Sequence, residues 1–358
     1  MSSTIGNKVK VTVFGQSHSN GTGVVIDGLP AGEEIDLERV QKFLSRRAPG
    51  KSRYVTPRKE SDTPSVISGL VNSRTCGAPL CAVFSNSDTR SEDYAQHLEI
   101  PRPSHADYPA HVKYRGYNDI RGGGHFSGRL TAPLCFAGAV CLQILERKGV
   151  KIGAHLLSVG DATDSGFDPV SVDAALLDEI AQKQFPVIDD SAGKSMIGVI
   201  ESAMADNDSV GGIIECCATG LPVGLGEPIF DGVENRLAAA IFGIPGVRGI
   251  EFGTGFAAAG MRGSEHNDAW VTDGDRVVTS TNHHGGIIGG LTTGMPIILR
   301  VAFKPTSSIG IRQRSVNLAE NRNCDLTIHG RHDPCIAVRA VPVVEAAVAV
   351  TLLDIICS

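Results

Sequence analysis

Gly23-Val-Val-Ile-Asp-Gly-Leu-Pro-Ala-Gly32 and Gly212-Ile-Ile-Glu-Cys-Cys-Ala-Thr-Gly-Leu-Pro-Val-Gly224 are two copies of one pattern. Each opens on an apolar run suited to a strand and breaks at Gly-Leu-Pro-x-Gly. Each then leads into a segment of helical periodicity. The first helix is expected from Asp36 to near Arg47, with Leu37, Val40, Phe43 and Leu44 on one face. The second is expected over Asp231 to Phe242. A duplicated strand–turn–helix unit therefore organises an α/β chain. No low-complexity linker separates the copies, so residues 1–358 read as one intertwined domain.

Working outward, Lys8–Phe14 and Met295–Phe303 read as further strands, and residues 49–65 as a long loop. Ala132–Leu145 is apolar nearly all round and ends in Glu-Arg-Lys-Gly, the pattern of a buried helix. Helical periodicity returns near Val172–Lys183 and over the Ala- and Val-rich Val343–Ile356.

The composition narrows the function. Apolar residues make up 42% of 358, enough for a large core. The net charge of -6 disfavours non-specific nucleic-acid binding. No window has the roughly 18 uninterrupted apolar residues of a membrane span. The first residues lack the apolar core of a secretory signal. The nine cysteines form no Cys-x-x-Cys pair, and several sit in apolar stretches. Reduced, buried thiols in a cytoplasmic protein are expected.

Chemistry-bearing residues fall in clusters. Arg121-Gly-Gly-Gly-His-Phe-Ser-Gly-Arg129 can bring bare amides and guanidiniums against an anion. Ser17-His18 ends the first strand, where a hydroxyl and an imidazole can bind phosphate or move a proton. Arg46, Arg47, Lys51, Arg53, Arg58 and Lys59 make a basic stretch in an otherwise acidic chain. A helix end accounts for the first two only. Arg102-Pro-Ser-His-Ala-Asp-Tyr108 collects polar groups on a turn. Its His105, Asp107 and His111 are conceivable metal ligands, although the spacing matches no zinc pattern. Lys304-Pro-Thr-Ser-Ser308 suits a phosphate or a heterocycle edge. In Gly330-Arg-His-Asp-Pro-Cys, Asp333 is either a helix N-cap or a proton-handling group. Thr281-Asn-His-His-Gly-Gly-Ile-Ile-Gly-Gly290 permits close approach to a planar ligand.

Together these runs resemble the chorismate synthase family, in that family's order and over nearly the whole chain: Phe14-Gly-Gln-Ser-His, Arg46-Arg-Ala-Pro-Gly-Lys-Ser-Arg53, Arg102-Pro-Ser-His-Ala-Asp-Tyr108, Arg121-Gly-Gly-Gly, Lys304-Pro-Thr-Ser-Ser308 and Gly330-Arg-His-Asp-Pro-Cys. The resemblance implies an α/β fold, a single-domain β-α-β sandwich with an internal pseudo-twofold repeat, and a homotetramer. It implies a lyase that eliminates phosphate from 5-enolpyruvylshikimate 3-phosphate to give chorismate. It implies reduced FMN as the cofactor, with NADPH a candidate reductant. It casts His18 as proton donor near the departing phosphate and His105 as the partner of the reduced flavin. Asp333 would help the flavin accept the substrate proton, with Ser17 and Ser127 as relay hydroxyls. FMN contacts map onto His125, Phe126, Ser127, Pro245, Gly246, Gly289, Lys304, Pro305, Thr306, Ser307, Ser308 and Arg331. Arg47 and Arg53 map onto positions tied to substrate or pyridine nucleotide, and Arg129 joins them as a substrate cation. Many members carry Arg-Ser-Ser where this chain has His125-Phe126-Ser127, and some carry a hydrogen-bonding side chain at Pro245. A metal-dependent phosphatase using His105, Asp107, His111, His332 and Asp333 is the runner-up. A non-catalytic binder of phosphorylated metabolites is the third reading.

Overall fold

Gly28 and Gly220 have φ of +81° and +80°, a region open to glycine and strained for other residues. A Cβ on Gly28 would stand 2.0 Å from the Lys8 carbonyl oxygen, and one on Gly220 would stand 2.0 Å from that of Gly149. The two Gly-Leu-Pro turns are thus equivalent in conformation and in what they press against. The computed structural model describes residues 3–50, 54–55, 62–86, 99–328 and 333–358.

Each turn follows the central strand of a five-stranded antiparallel sheet. The first sheet runs Thr4–Ile5, Lys10–Gly15, Gly21–Asp27, Leu80–Ser85, Ser65–Ser68. The second runs Val247–Phe252, Ile297–Phe303, Gly212–Thr219, Lys151–Val159, Ala162–Thr163. Lys10–Gly15, Gly21–Asp27 and Leu80–Ser85 have the same order and pairing as Lys151–Val159, Gly212–Thr219 and Ile297–Phe303. The duplication read from the sequence is therefore present in the topology.

Eight helices are described: α1 Leu37–Arg47, α2 Asp107–Lys113, α3 Thr131–Arg147, α4 Ala174–Gln182, α5 Asp190–Ala205, α6 Val233–Phe242, α7 Gly263–His266 and α8 Ala337–Cys357. The Asp36 carboxylate caps α1 by accepting from Glu38 N at 2.9 Å and Arg39 N at 3.1 Å. Val40 and Leu44 are buried, but Leu37 is exposed, because it lies in the first turn beyond the edge of the core. α3 packs on the first sheet and α8 on the second, and the two cross at the centre. Both are long and apolar enough to cross a membrane, yet both are largely buried between the sheets as core helices. α8 begins six residues before the expected Val343, and Pro342 lies inside it. Its apolar residues are buried on nearly every side, so tertiary packing carries the helix through the proline.

α8 also holds the sheets by their backbones. The Asp354 carboxylate accepts from the N–H groups of Asn7, Lys8 and Val9 at 2.7, 2.7 and 2.8 Å. Glu345 accepts from Ala154 N at 3.0 Å and from the Arg46 fork at 2.6 and 2.8 Å.

The outer face of the second sheet buries an ionic network. His155 is fully buried, with Nδ1 3.1 Å from Asp164 and Nε2 3.2 Å from Glu215. With a carboxylate on each ring nitrogen, both must donate, so the ring is an imidazolium. Burial works against that charge, but the hydrogen bonds to Asp164 and Glu215 outweigh it and hold His155 above its ordinary pKa. A raised folded pKa means this stabilisation is fully present below about pH 6.5 and is lost as pH climbs through the folded value. Thermal scans from about pH 6 to about pH 9 should show the midpoint falling. The His155→Gln variant should start lower and lack that fall. Parallel slopes for the two proteins would refute the assignment.

Candidate active site

Gly122, Gly123 and Gly124 have φ of +60°, +83° and +53°. Their lack of side chains is used at close quarters. A Cβ on Gly122 would lie 2.5 Å from Ser17 Oγ and 2.7 Å from His18 Nε2. One on Gly123 would lie 3.4 Å from His105 Nε2, and one on Gly124 1.9 Å from the Asp119 carbonyl. Ser17 N donates to Gly124 O at 3.2 Å, tying the end of the first long strand to the run. The glycines therefore let Ser17, His18 and His105 converge. Within the run Gly123 N donates to Ile120 O, and Arg121 pairs with Asp119 at the surface.

Beside the run lies a cavity of about 210 Å³. Arg47 and Pro49 enter it from the end of α1, and Arg102 and His105 from the turn before α2. Phe126, Ser127, Arg129 and Thr131 come from the approach to α3. Pro245, Thr306, Ser307 and Ser308 close one side. Asp333, Ile336, Arg339 and Val343 close the other. Ser17 and His18 are buried just behind Gly122.

The His105 ring is oriented by a buried ion pair. Its Nδ1 lies 2.6 Å from Asp107 Oδ1 and donates to it, which turns Nε2 toward Gly123. Arg102 holds the same carboxylate through Nε at 2.7 Å and Nη2 at 2.8 Å, and through its backbone N at 3.0 Å. Burial would raise the Asp107 pKa, but the hydrogen bonds from Arg102 and His105 carry it well below the carboxylate range. Asp107 is thus a fixed anion behind His105.

A second ionic group forms the opposite wall. The Asp62 side chain is fully buried and accepts from both Arg47 Nη1 and Arg129 Nη1. Burial opposes its charge, and the two guanidiniums overcome that and lower its pKa. Arg47 Nε also donates to Thr131 Oγ1 at 2.9 Å, and Arg129 Nε to Asn86 Oδ1 at 3.1 Å. Arg339 donates to Asp333 at 2.6 Å and to the Arg47 carbonyl at 2.9 Å. Four guanidiniums thus face three carboxylates, Asp62, Asp107 and Asp333, leaving this part of the cavity cationic.

The remaining expected residues divide. Phe126, Ser127, Pro245 and Thr306–Ser308 are in the wall. Ser308 Oγ accepts from Arg102 at 3.4 Å. Thr306 Oγ1 is buried with no hydrogen-bond partner among the described residues. Gly246 and Lys304 stand just outside the wall, joined by a 3.0 Å backbone bond, and the Lys304 ammonium reaches Ser104 O. Pro305 packs near Gly211. His125 faces away, exposed, 3.3 Å from both Ser3 Oγ and Gly15 O. Gly289 lies in the hairpin turn between Ile287–Ile288 and Leu291–Thr292, outside this wall. Arg53, Arg331 and His332 lie outside the described residues.

Sequence reasoning gave no role to Asp62, Arg102 or Arg339. Asp333 is not an N-cap, since α8 starts at Ala337, and its pairing with Arg339 replaces that reading. The metal reading finds no donor set: no group of three or more His, Cys, Asp or Glu among the described residues could hold a metal ion. His111 lies against Gly116, and Asp107 is committed to Arg102 and His105.

Comparison with known proteins bears on the family and the fold. The profile of the chorismate synthase family matches residues 9–357. A chorismate synthase of Korarchaeum cryptofilum is 46% identical over 353 residues, covering 98% of this chain and 96% of the relative. One from Pyrococcus abyssi is 46% identical over 352 residues with the same coverage. A crystal structure of a chorismate synthase superimposes with a TM-score of 0.77 over 98% of this chain and 92% of that one, at 24% identity, which supports the fold. With the profile spanning all but the ends and the relatives matching along 96% of their length, this chain belongs to the chorismate synthase family.

Proposed function

We propose that the cavity between the glycine run and the start of α8 is where this chain carries out its family's reaction, the anti 1,4-elimination of phosphate from 5-enolpyruvylshikimate 3-phosphate. The carbon–oxygen bond breaks with its electron pair leaving on phosphate. A ring proton departs from the opposite face, its C–H electron pair forms a new ring double bond while the existing one shifts toward the carbon that loses phosphate, and no net oxidation occurs. The carrying observation is that His105 and Asp333 line one cationic cavity, with His18 buried against Gly122 in its wall, from three distant parts of the chain.

The residues present fit a reduced FMN. Phe126, Ile244, Ile336 and Val343 offer apolar surface, and Thr306 Oγ1 is a buried hydroxyl in need of a partner. Thr306, Ser307 and Ser308, with Ser127 opposite, would hold it. When bound, reduced flavin supplies an electron-rich ring that eases phosphate departure and a basic nitrogen for the substrate proton. Arg47 and Arg129 neutralise the substrate's anionic groups, with Arg53 joining them. His18, backed by Ser17, donates a proton to the departing phosphate. His105, with Nδ1–H held by Asp107, turns Nε2 toward the cofactor, where the imidazolium form would donate a proton. Asp333 polarises the acceptor of the substrate proton, and Ser127 relays.

The working enzyme in this reading is a cytoplasmic homotetramer. Ile229, Phe230 and Phe256, exposed in the single chain, are candidates for burial between subunits. NADPH is the candidate reductant, drawn by the basic stretch after α1. Asp333→Asn is the test. Assayed without oxygen with chemically reduced FMN, it should bind substrate and lose turnover by about a hundredfold or more. A wild-type rate would remove Asp333 from the mechanism. Running the wild type with NADPH and oxidised FMN decides whether it makes its own reduced cofactor.

A further inference from the structure

We infer that Arg248, together with Lys304, binds the phosphate monoester of the flavin cofactor beside the cavity wall. The inference rests on the reduced-FMN reading given above and assigns the residues that take the cofactor's tail.

Arg248 is the extra residue of a β-bulge. Val247 pairs with Phe303 and Gly249 with Ala302, so Arg248 between them has no cross-strand partner. Val247–Phe252 is an edge strand of the second sheet, a place where a bulge re-aims a side chain. The partner strand ends at Phe303, and Lys304 follows directly. The pairing therefore sets Arg248 and Lys304 on neighbouring backbones. The 3.0 Å bond from Lys304 N to Gly246 O closes the corner between them. Both segments lead straight into the wall of the cavity. Pro245 stands three positions before Arg248, and Thr306 two positions after Lys304.

These two cations differ from those inside the cavity. Arg47 and Arg129 share the Asp62 carboxylate, and Arg339 holds Asp333. Arg248 is exposed, and neither it nor Lys304 has a carboxylate partner among the described residues. The Lys304 ammonium donates to the Ser104 carbonyl, which ties it to the His105 turn and leaves it further donors. Burial and then the Arg248 charge disfavour that ammonium. Two like charges are thus held together by the fold, and an anion placed between them would reverse the repulsion. A phosphate monoester brings about 1.5 to 2 negative charges near neutral pH and three acceptor oxygens. It suits a guanidinium fork beside a point-charge ammonium. The apolar part of the wall suits the flavin ring, and the cations just outside it suit the tail.

The test compares oxidised FMN with riboflavin, which has the same ring and no phosphate. Flavin fluorescence titrations are run with 5-enolpyruvylshikimate 3-phosphate present, and oxidised flavin prevents turnover. The wild type should prefer FMN. Arg248→Gln should lose about tenfold to a hundredfold in FMN affinity, the worth of a hydrogen bond to a charged group. Its riboflavin affinity should stay within about threefold of wild type, since the lost contact is to the phosphate alone. Lys304→Gln should show the same selective loss, and Arg248→Lys should recover most of it. The ratio of the two affinities is the readout, so a loss of folded protein does not move it. Anaerobic turnover of Arg248→Gln at saturating reduced FMN should match wild type. An unchanged FMN affinity in Arg248→Gln overturns the inference, as does an equal fall for both flavins. A defect confined to the NADPH requirement overturns it too and assigns the pair to the nucleotide's phosphates. A wild type that binds neither flavin overturns the cofactor reading itself.

Discussion

His105→Ala will fold normally and lose roughly a hundredfold to ten-thousandfold in turnover, the span expected when a positioned acid–base group is deleted. The ring is held at Nδ1 by Asp107, which is itself clamped by Arg102, so its only chemical outlet is Nε2 beside Gly123. The imidazole is partly exposed, so its removal opens no deep cavity and thermal stability should barely change. Anaerobic turnover with chemically reduced FMN is the measurement, with circular dichroism melting as the control for folding. A rate within tenfold of wild type would mean that His105 only shapes the wall. Asp107→Asn tests the same chain of contacts from behind. It leaves Arg102 without its anion and should damage both stability and kcat, because a buried half-pair remains.

Gly138→Val will be the most destabilising single exchange in the helical layer, at about 4 kcal/mol. Where α3 crosses α8, a Cβ on Gly138 would stand 2.2 Å from Ala346 Cβ and 2.3 Å from its Cα. Backbone cannot yield as a flexible side-chain tip can, so the helices must separate and take both sheets with them. Denaturant unfolding of the variant against wild type gives the value. Gly198→Ala on α5 is the contrast. Its added Cβ meets nothing within 4 Å, so a helix-favouring change there should be neutral or gain up to about 1 kcal/mol. Equal losses at the two glycines would show that packing at the crossing is looser than the distances imply.

Much of the architecture was legible because local chemistry and tertiary structure agree there. The Gly-Leu-Pro turns need positive φ at a defined place, and that need is written in the sequence twice. Asp36 announces its helix by capping it. The residues of the glycine run, the Ser17-His18 turn and the Lys304–Ser308 turn each carry recognisable types in order. What stayed hidden depends on pairing at long range. Asp62 gains its meaning from Arg47 and Arg129, one of them far along the chain, and nothing near it signals burial. Arg339 looks like one more helix cation until Asp333 and Arg47 are folded onto it. α5 was missed because Gly193, Gly198 and several serines dilute its pattern. The start of α8 was misplaced because Pro342 reads locally as a stop. The glycines were legible as sites of close approach, and Ser17, His18 and His105 are among the groups that approach them.

The grip of α8 on both sheets has a consequence for how the polypeptide is made. Asp354 satisfies three amides at the very front of the first sheet, and Glu345 satisfies one in the first long strand of the second. Neither half can therefore reach its final hydrogen bonding while a ribosome is still elongating through residue 336. Until the last of these turns clears the exit tunnel, the inner face of the second sheet and the side of α3 that meets α8 wait uncovered. Chaperone dependence during synthesis should be governed by the delay before those 21 residues arrive.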